Sequence, residues 1–298
     1  MIHPDPAPLD PARGAARRFR RTQGSGLPGL VPSLGFTWLY LSVVVLLPLS
    51  YLVVRASGAP AERWSQVFTD PRILAALRLS FGAAFIAAAT NVVLGTLLAW
   101  VLGRYRFPGR GVIDALVELP FALPTSVAGI TLTFLYAPTG WFGRAFEAAG
   151  IKVAFAPLGI VIALVFVGLP FVVRTVEPVV RSMDPEIEEA ALSLGASPRQ
   201  AFFRVTLPAM LPSMTAGFAL ALARALGEYG SVLFISGNLP MKTEIAPLLI
   251  VGRLEQYDYD GAALLAAVLL FASVLMLFCV QLVERWASTR FAAGGKAV

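Results

Sequence analysis

Six stretches of this chain are apolar over about the 20 residues that a helix needs to cross a bilayer core of about 30 Å. No other feature of the sequence limits its fold as much. The stretches are 35–54, 79–102, 119–137, 157–173, 213–236 and 261–283, the fourth being the shortest and the fifth carrying charges. Composition agrees: 57% of residues are hydrophobic and 14% charged, against about 25% charged in an ordinary soluble domain. The expected architecture is all-α, a polytopic membrane protein of six transmembrane helices. Small residues in the second stretch, Gly82, Ala87, Ala88 and Gly95, suit close helix packing. Pro120, Pro124 and Pro170 read as kinks satisfied by neighbouring helices.

The net charge of +6 does not point to nucleic acid, because no basic stripe with interleaved aromatics occurs. Basic residues instead report orientation. The N-terminal tail, the second and fourth connections and the C-terminal tail hold fifteen Lys and Arg, against eight in the remaining connections. Both termini are therefore expected in the cytoplasm. Residues 1–34 form a basic, Pro- and Gly-rich tail, 35–286 the membrane domain and 287–298 a second tail. The stretch after the basic cluster is too long for a signal h-region and lacks a small-residue cleavage site.

Little material is present for covalent chemistry. The one cysteine, Cys279, lies in an apolar run and reads as a small buried hydrophobe; the one histidine, His3, lies in the Pro-rich tail. Neither a zinc site nor a Cys/His nucleophile pair can be built from them, so no catalytic residue and no metal ligand is expected. An intramembrane enzyme would need a nucleophile with a base, or paired acids, and the stretches offer only Arg224 and Glu228. An autonomous ion-coupled carrier would also use six spans, but would leave the longest polar interruption without a purpose.

That interruption contains EAALSLGASPRQAFFRVTLP at 189–208. Asp184-Pro185 is a helix start, with Asp as N-cap and Pro at the first helical position. Glu186, Glu188 and Glu189 follow at the positive end of the helix dipole. Gly195 suits a C-cap at positive φ, and Ser197-Pro198 repeats the start signal. The residues thus predict a helix over 185–194, a sharp turn, and a second helix from 198 that Leu207-Pro208 and Pro212 bring to the membrane.

The segment also resembles the coupling segment of prokaryotic ABC-importer permeases: EAA, three residues, Gly, nine residues, Ile, one residue, Leu-Pro. Glu189, Ala190, Ala191, Gly195, Leu207 and Pro208 match in register, and Val205 stands where the pattern prefers Ile. The resemblance implies a type I ABC importer permease fold with a cytoplasmic coupling helix. In it Gly195 allows the reversal, Ala190 and Ala191 permit close approach to an ATP-binding subunit, and Glu189 offers that subunit a charge. No GxxxxGK[ST] phosphate loop occurs, the one Gly-Lys pair being Gly295-Lys296. The chain is therefore expected to bind no cofactor of its own, with ATP and Mg on two separate ATP-binding subunits.

Further stretches resemble the sulfate/thiosulfate permease, its T-type subunit more than its W-type partner. They are LPFALPTSVAGI at 119–130, TGWFG at 139–143, GLPFVVRTVEPVV at 168–180, RALGEYGSVLFISGNLP at 224–240 and KTEIAPLLIVGRLEQYDYDGA at 242–262. The resemblance implies a heterodimer with a W-type permease and delivery of sulfate or thiosulfate by a periplasmic binding protein. The molybdate/tungstate permeases, which share the Arg-x-Leu-Gly-Glu-aromatic-Gly stretch, are the alternative; the added N-terminal span favours sulfate.

Arg224 and Glu228, at i and i+4 in the fifth stretch, would each cost about 2.5–3.5 kcal/mol at mid-membrane. They read either as a structural ion pair or as the lining of an anion path. Asp114 and Glu118 read as an interfacial polar face without a function, and 238–260 as a membrane-surface stretch that helps receive the binding protein.

Overall fold

A computed structural model describes residues 30–294, with side chains described for 32–282. The expectations for residues 1–29, His3 among them, and for 295–298 lie outside the described residues. No strand occurs among those described. Residues up to Val54 form one compact unit and those from Arg55 onward another.

The first unit is α1 (Leu30–Leu41), a π-helical turn Ser42–Leu46, and most of α2 (Leu47–Ser57). Together they make an apolar helix Pro32–Ser57, long enough to span. The wide turn has a local cause. Leu47 donates its N–H to the Ser42 carbonyl, five residues back, and Pro48 follows. Proline has no N–H and its ring crowds the carbonyl four residues earlier, so one extra residue in the turn relieves the clash.

The second unit contains α3 (Ala61–Thr69), α4 (Pro71–Arg104), α5 (Arg110–Ala122), α6 (Thr125–Tyr136), α7 (Trp141–Ala148) and α8 (Pro157–Ser182). There follow α9 (Pro185–Ser193), α10 (Pro198–Ala201), a second π-helical turn Phe202–Thr206, α11 (Leu207–Leu226), α12 (Gly230–Ser236), α13 (Ala246–Glu255) and α14 (Tyr259–Gly294). Asp70 caps α4 by accepting the Arg72 N–H at 2.8 Å, with Pro71 in the first position. The second π turn repeats the logic of the first: the Leu207 N–H reaches the Phe202 carbonyl and Pro208 follows.

Helices α4, α8 and α11 form the centre. Ala87, Ala88 and Ala99 of α4 are wholly buried against Val172, Val173 and Val176 of α8 and Leu222 of α11. A Cβ at Gly95 would lie 2.8 Å from the Val172 Cβ, so only glycine permits this approach of two spanning helices. Gly82, expected to pack likewise, faces open space. Cys279, expected to be buried, is exposed on α14; an apolar run does not say which of its faces meets protein.

Two of the expected spans are broken. The stretch 119–137 is α5 and α6, bent by 114°. Leu123 is extended (φ −87°, ψ 134°), as a residue before proline prefers, so Pro124 ends one helix and opens another rather than kinking a single one. The stretch 213–236 divides after Leu226, and α12 restarts at Gly230. The two restarted helices meet: a Cβ at Gly129 of α6 would lie 2.4 Å from the Ser231 carbonyl oxygen of α12. The fourth span is longer than expected, 26 residues with Pro170 and Pro178 inside it. Counting the bent pair as one gives six candidate spans among the described residues.

Candidate functional site

The hairpin between α8 and α11 forms as its sequence dictates. Asp184 accepts the Glu186 N–H at 3.0 Å and starts α9. At the other end Gly195 adopts φ +87°, its N–H donates to the Leu192 carbonyl at 2.9 Å, and the Ala196 N–H donates to the Ala191 carbonyl at 3.1 Å. This is a Schellman cap; its positive φ accounts for glycine at 195, while the carbonyl it uses at 191 belongs to the backbone. Ser197 and Gln200 then make a reciprocal capping box at the start of α10.

No residue of α9 is buried. Glu189 and Ala190 are exposed and Ala191 half-buried, while Val205, Leu207 and Pro208 lie on the second arm, around the π turn, and are half-buried. The hairpin also presents apolar side chains that the motif does not name. Leu194 is 90% exposed and Ile187 59%. With Ala190 and Ala191 they fall at i, i+3, i+4 and i+7, one face of a helix. The spacing is present in the sequence, but the acidic residues around it obscure it.

Three glutamates, Glu177, Glu228 and Glu244, are the buried charged groups of the described residues, and each is held by arginine. Glu228 receives Arg224 Nη1 at 2.7 Å and, through its other oxygen, the N–H and hydroxyl of Ser231, both at 2.9 Å. The pair expected on one continuous helix thus straddles the break after α11, where Glu228 ties the start of α12 to the end of α11. Arg224 remains partly exposed. Glu244 receives Nε and Nη2 of Arg72, both at 2.7 Å, in a bidentate pair.

Glu177 lies on α8 just before the hairpin. Arg174 Nη1 donates to it at 2.9 Å, Arg181 donates to its other oxygen, and Arg110 of α5 stands 3.9 Å away. Arg174 also bonds Glu118 of α5 at 2.6 Å, and it pairs with Asp114 at 2.8 Å, without hydrogen-bond geometry at Oδ1. Asp114 and Glu118 are therefore not an idle polar face; they join α5 to the helix that leads into the hairpin.

At the opposite end of the bundle, Asp258 binds Arg63 at 3.0 Å and Arg253 at 3.2 Å. Partial burial by itself raises this carboxyl, but the Gly261 N–H and the two guanidinium groups outweigh it and hold Asp258 below the usual carboxylate range. The stretch 238–260 is not wholly a surface layer: Glu244, Ala246, Leu248 and Leu249 are buried, while Met241, Leu254, Tyr257 and Tyr259 are exposed.

Comparison with known proteins accords with this arrangement. The chain is 46% identical over 258 residues to the sulfate transport system permease protein CysT of Salmonella typhimurium, covering 87% of this chain and 93% of that one. It is 47% identical over 253 residues to the protein of the same name from Synechococcus elongatus, covering 85% and 91%. In fold it superposes with a TM-score of 0.71 on a chain from the crystal structure of a bacterial ABC transporter involved in the import of the acidic polysaccharide alginate, at 16% identity, covering 86% of this chain and 94% of that one. Residues 91–292 match the binding-protein-dependent transport system inner membrane component family. The chain belongs to that family: it is a multi-pass, non-enzymatic permease subunit of an ABC importer with the type I fold.

Proposed function

We propose that this chain carries sulfate, or thiosulfate, across the bacterial inner membrane as the T-type half of a permease heterodimer. A W-type permease is its partner, two separate subunits bind and hydrolyse ATP with Mg, and a periplasmic binding protein delivers the anion. The transporting body is 35–286, flanked by the tails 1–34 and 287–298, with both termini cytoplasmic. The near-half identity to two sulfate permeases over most of their length supports sulfate above molybdate.

The observation that carries the mechanism is the exposed apolar face of α9. A helix with no buried residue and with Ile187 and Leu194 uncovered suits a groove on another protein. The Schellman cap fixes its direction, and Glu189, Ala190, Ala191 and Gly195 are its contact face. Val205 in the wide turn, with Leu207 and Pro208 at the start of α11, returns the load to that helix. Arg224 is the candidate for attracting the anion along the path, transiently, with Glu228 holding it in place.

Affinity purification of the tagged chain from cells expressing the whole operon tests this. Wild type is expected to bring down an ATP-binding subunit and a second, different permease, and to support ATP-dependent sulfate uptake. Gly195→Asp and Leu194→Asp are expected to lose the ATP-binding subunit. A preparation holding only this chain and an ATPase, with molybdate uptake, overturns the heterodimer and the substrate. Absence of any ATPase from the wild-type preparation overturns the docking role.

A further inference from the structure

The hairpin is bonded covalently to α8 and α11, yet both of its arms also hold a third helix. Arg104, at the end of α4, donates from Nη2 to Glu188 of α9 at 3.0 Å, across 84 residues of sequence. The same guanidinium lies 5.2 Å from the centre of the Trp100 ring, one turn back on the same face. Trp100 in turn meets Phe202 edge to face, with centroids 5.7 Å apart and planes at 88°. Phe202 opens the π turn that Pro208 imposes. The first arm thus reaches α4 through an ion pair, and the second through an aromatic contact.

These contacts are poorly explained as packing alone. Helix α4 is already anchored to α8 by Gly95 against Val172 and by the buried Leu102. A partly exposed ion pair adds little stability, but it fixes register. The two contacts lie on the two arms of the hairpin, so a displacement that keeps its shape moves both together. We infer that Trp100 and Arg104 form a receiving site on α4, through which the hairpin drives that helix as well as the two it is bonded to. This rests on the hairpin being the segment that docks on the ATP-binding subunit. Trp100, Arg104 and Glu188 are then positioning residues for transport.

The test uses the whole complex in liposomes with its binding protein, measuring sulfate taken up per ATP hydrolysed for wild type, Arg104→Glu, Arg104→Gln, Trp100→Leu, Glu188→Arg and the charge-swapped Arg104→Glu/Glu188→Arg. The single variants at Arg104 and Trp100 are expected to keep their co-purified ATPase and lose about fivefold or more in uptake per ATP. The charge swap is expected to restore the ratio to within about twofold of wild type, which a purely structural injury would not allow. A wild-type ratio in all the single variants overturns the inference, as does a double variant no better than Arg104→Glu. Loss of the ATPase from Arg104→Gln overturns it too, assigning the pair to docking rather than transmission. Failure of the wild-type chain to bind an ATPase is a different result and sinks the docking reading itself.

Discussion

Glu177 and Glu244 are buried carboxylates at opposite ends of the helix bundle, the first on α8 and the second in the connection before α13, and they are neutralised in opposite ways. Glu244 depends on one arginine, Arg72, brought from 172 residues away and aligned with both of its oxygens. Glu177 sits among three, two of them on its own helix, and Arg174 among these divides itself between Glu177 and two acids of α5. One end is a single fixed staple. The other is a shared set of charges in which Glu177 still faces an arginine when one of its partners moves away. The shared set lies next to the hairpin, at the end where relative movement of α5 and α8 would have to be accommodated; the staple lies where α4 begins.

The largest effect should therefore come from the staple. Arg72→Ala leaves Glu244, whose side chain is 3% exposed, without a counter-charge. Stranding a buried charge costs about 3–5 kcal/mol. Because Arg72 itself is 45% exposed, water reaches the gap and about 2 kcal/mol is expected. Thermal unfolding of the purified complex measures it. Arg72→Lys, which keeps the charge but not the two-pronged geometry, should recover only part of the loss. A shift no larger than that of Arg181→Ala would break the comparison.

At the shared set, Arg181→Ala alone should cost less than about 1 kcal/mol, because Arg174 and Arg110 still face Glu177. Arg174→Ala should cost somewhat more, since it also releases Asp114 and Glu118. The double variant Arg174→Ala/Arg181→Ala should exceed the sum of the two by about 1 kcal/mol, as groups sharing one partner do. Simple additivity would mean that the arginines do not substitute for one another.

The hairpin is the part of the site that its sequence discloses best, because every determinant is local: Asp184 with Pro185, Gly195, Ser197 with Gln200. The spanning helices were legible as apolar runs, but their continuity was not. Leu123-Pro124 and Gly227 interrupt two runs that remain apolar over the length of a span, since lipid solubility and unbroken helical hydrogen bonding are separate properties. Long-range partners were the least legible. Nothing near Glu188 announces Arg104, nothing near Glu244 announces Arg72, and Asp114 and Glu118 looked idle because Arg174 lies on a different helix. The burial of Leu248 and Leu249 within a stretch that reads as a membrane-surface layer was hidden for the same reason.

The smallest effect sharpens the contrast at the outer edge of the staple's end. Asp258 is 36% exposed, so Asp258→Asn should destabilise by less than about 1 kcal/mol at neutral pH. Its pH dependence is the more telling quantity. A carboxyl held below its unfolded value, about 3.9 for Asp, contributes stability that is complete above that value and is lost as pH falls through the lower, folded one. The difference in melting temperature between wild type and Asp258→Asn should therefore stay constant from pH 7 to pH 5 and shrink only below about pH 4. If the difference faded between pH 7 and pH 5, the Gly261 N–H and the two arginines would not be holding the charge, and the contrast with the shared set would rest on the Arg72–Glu244 staple.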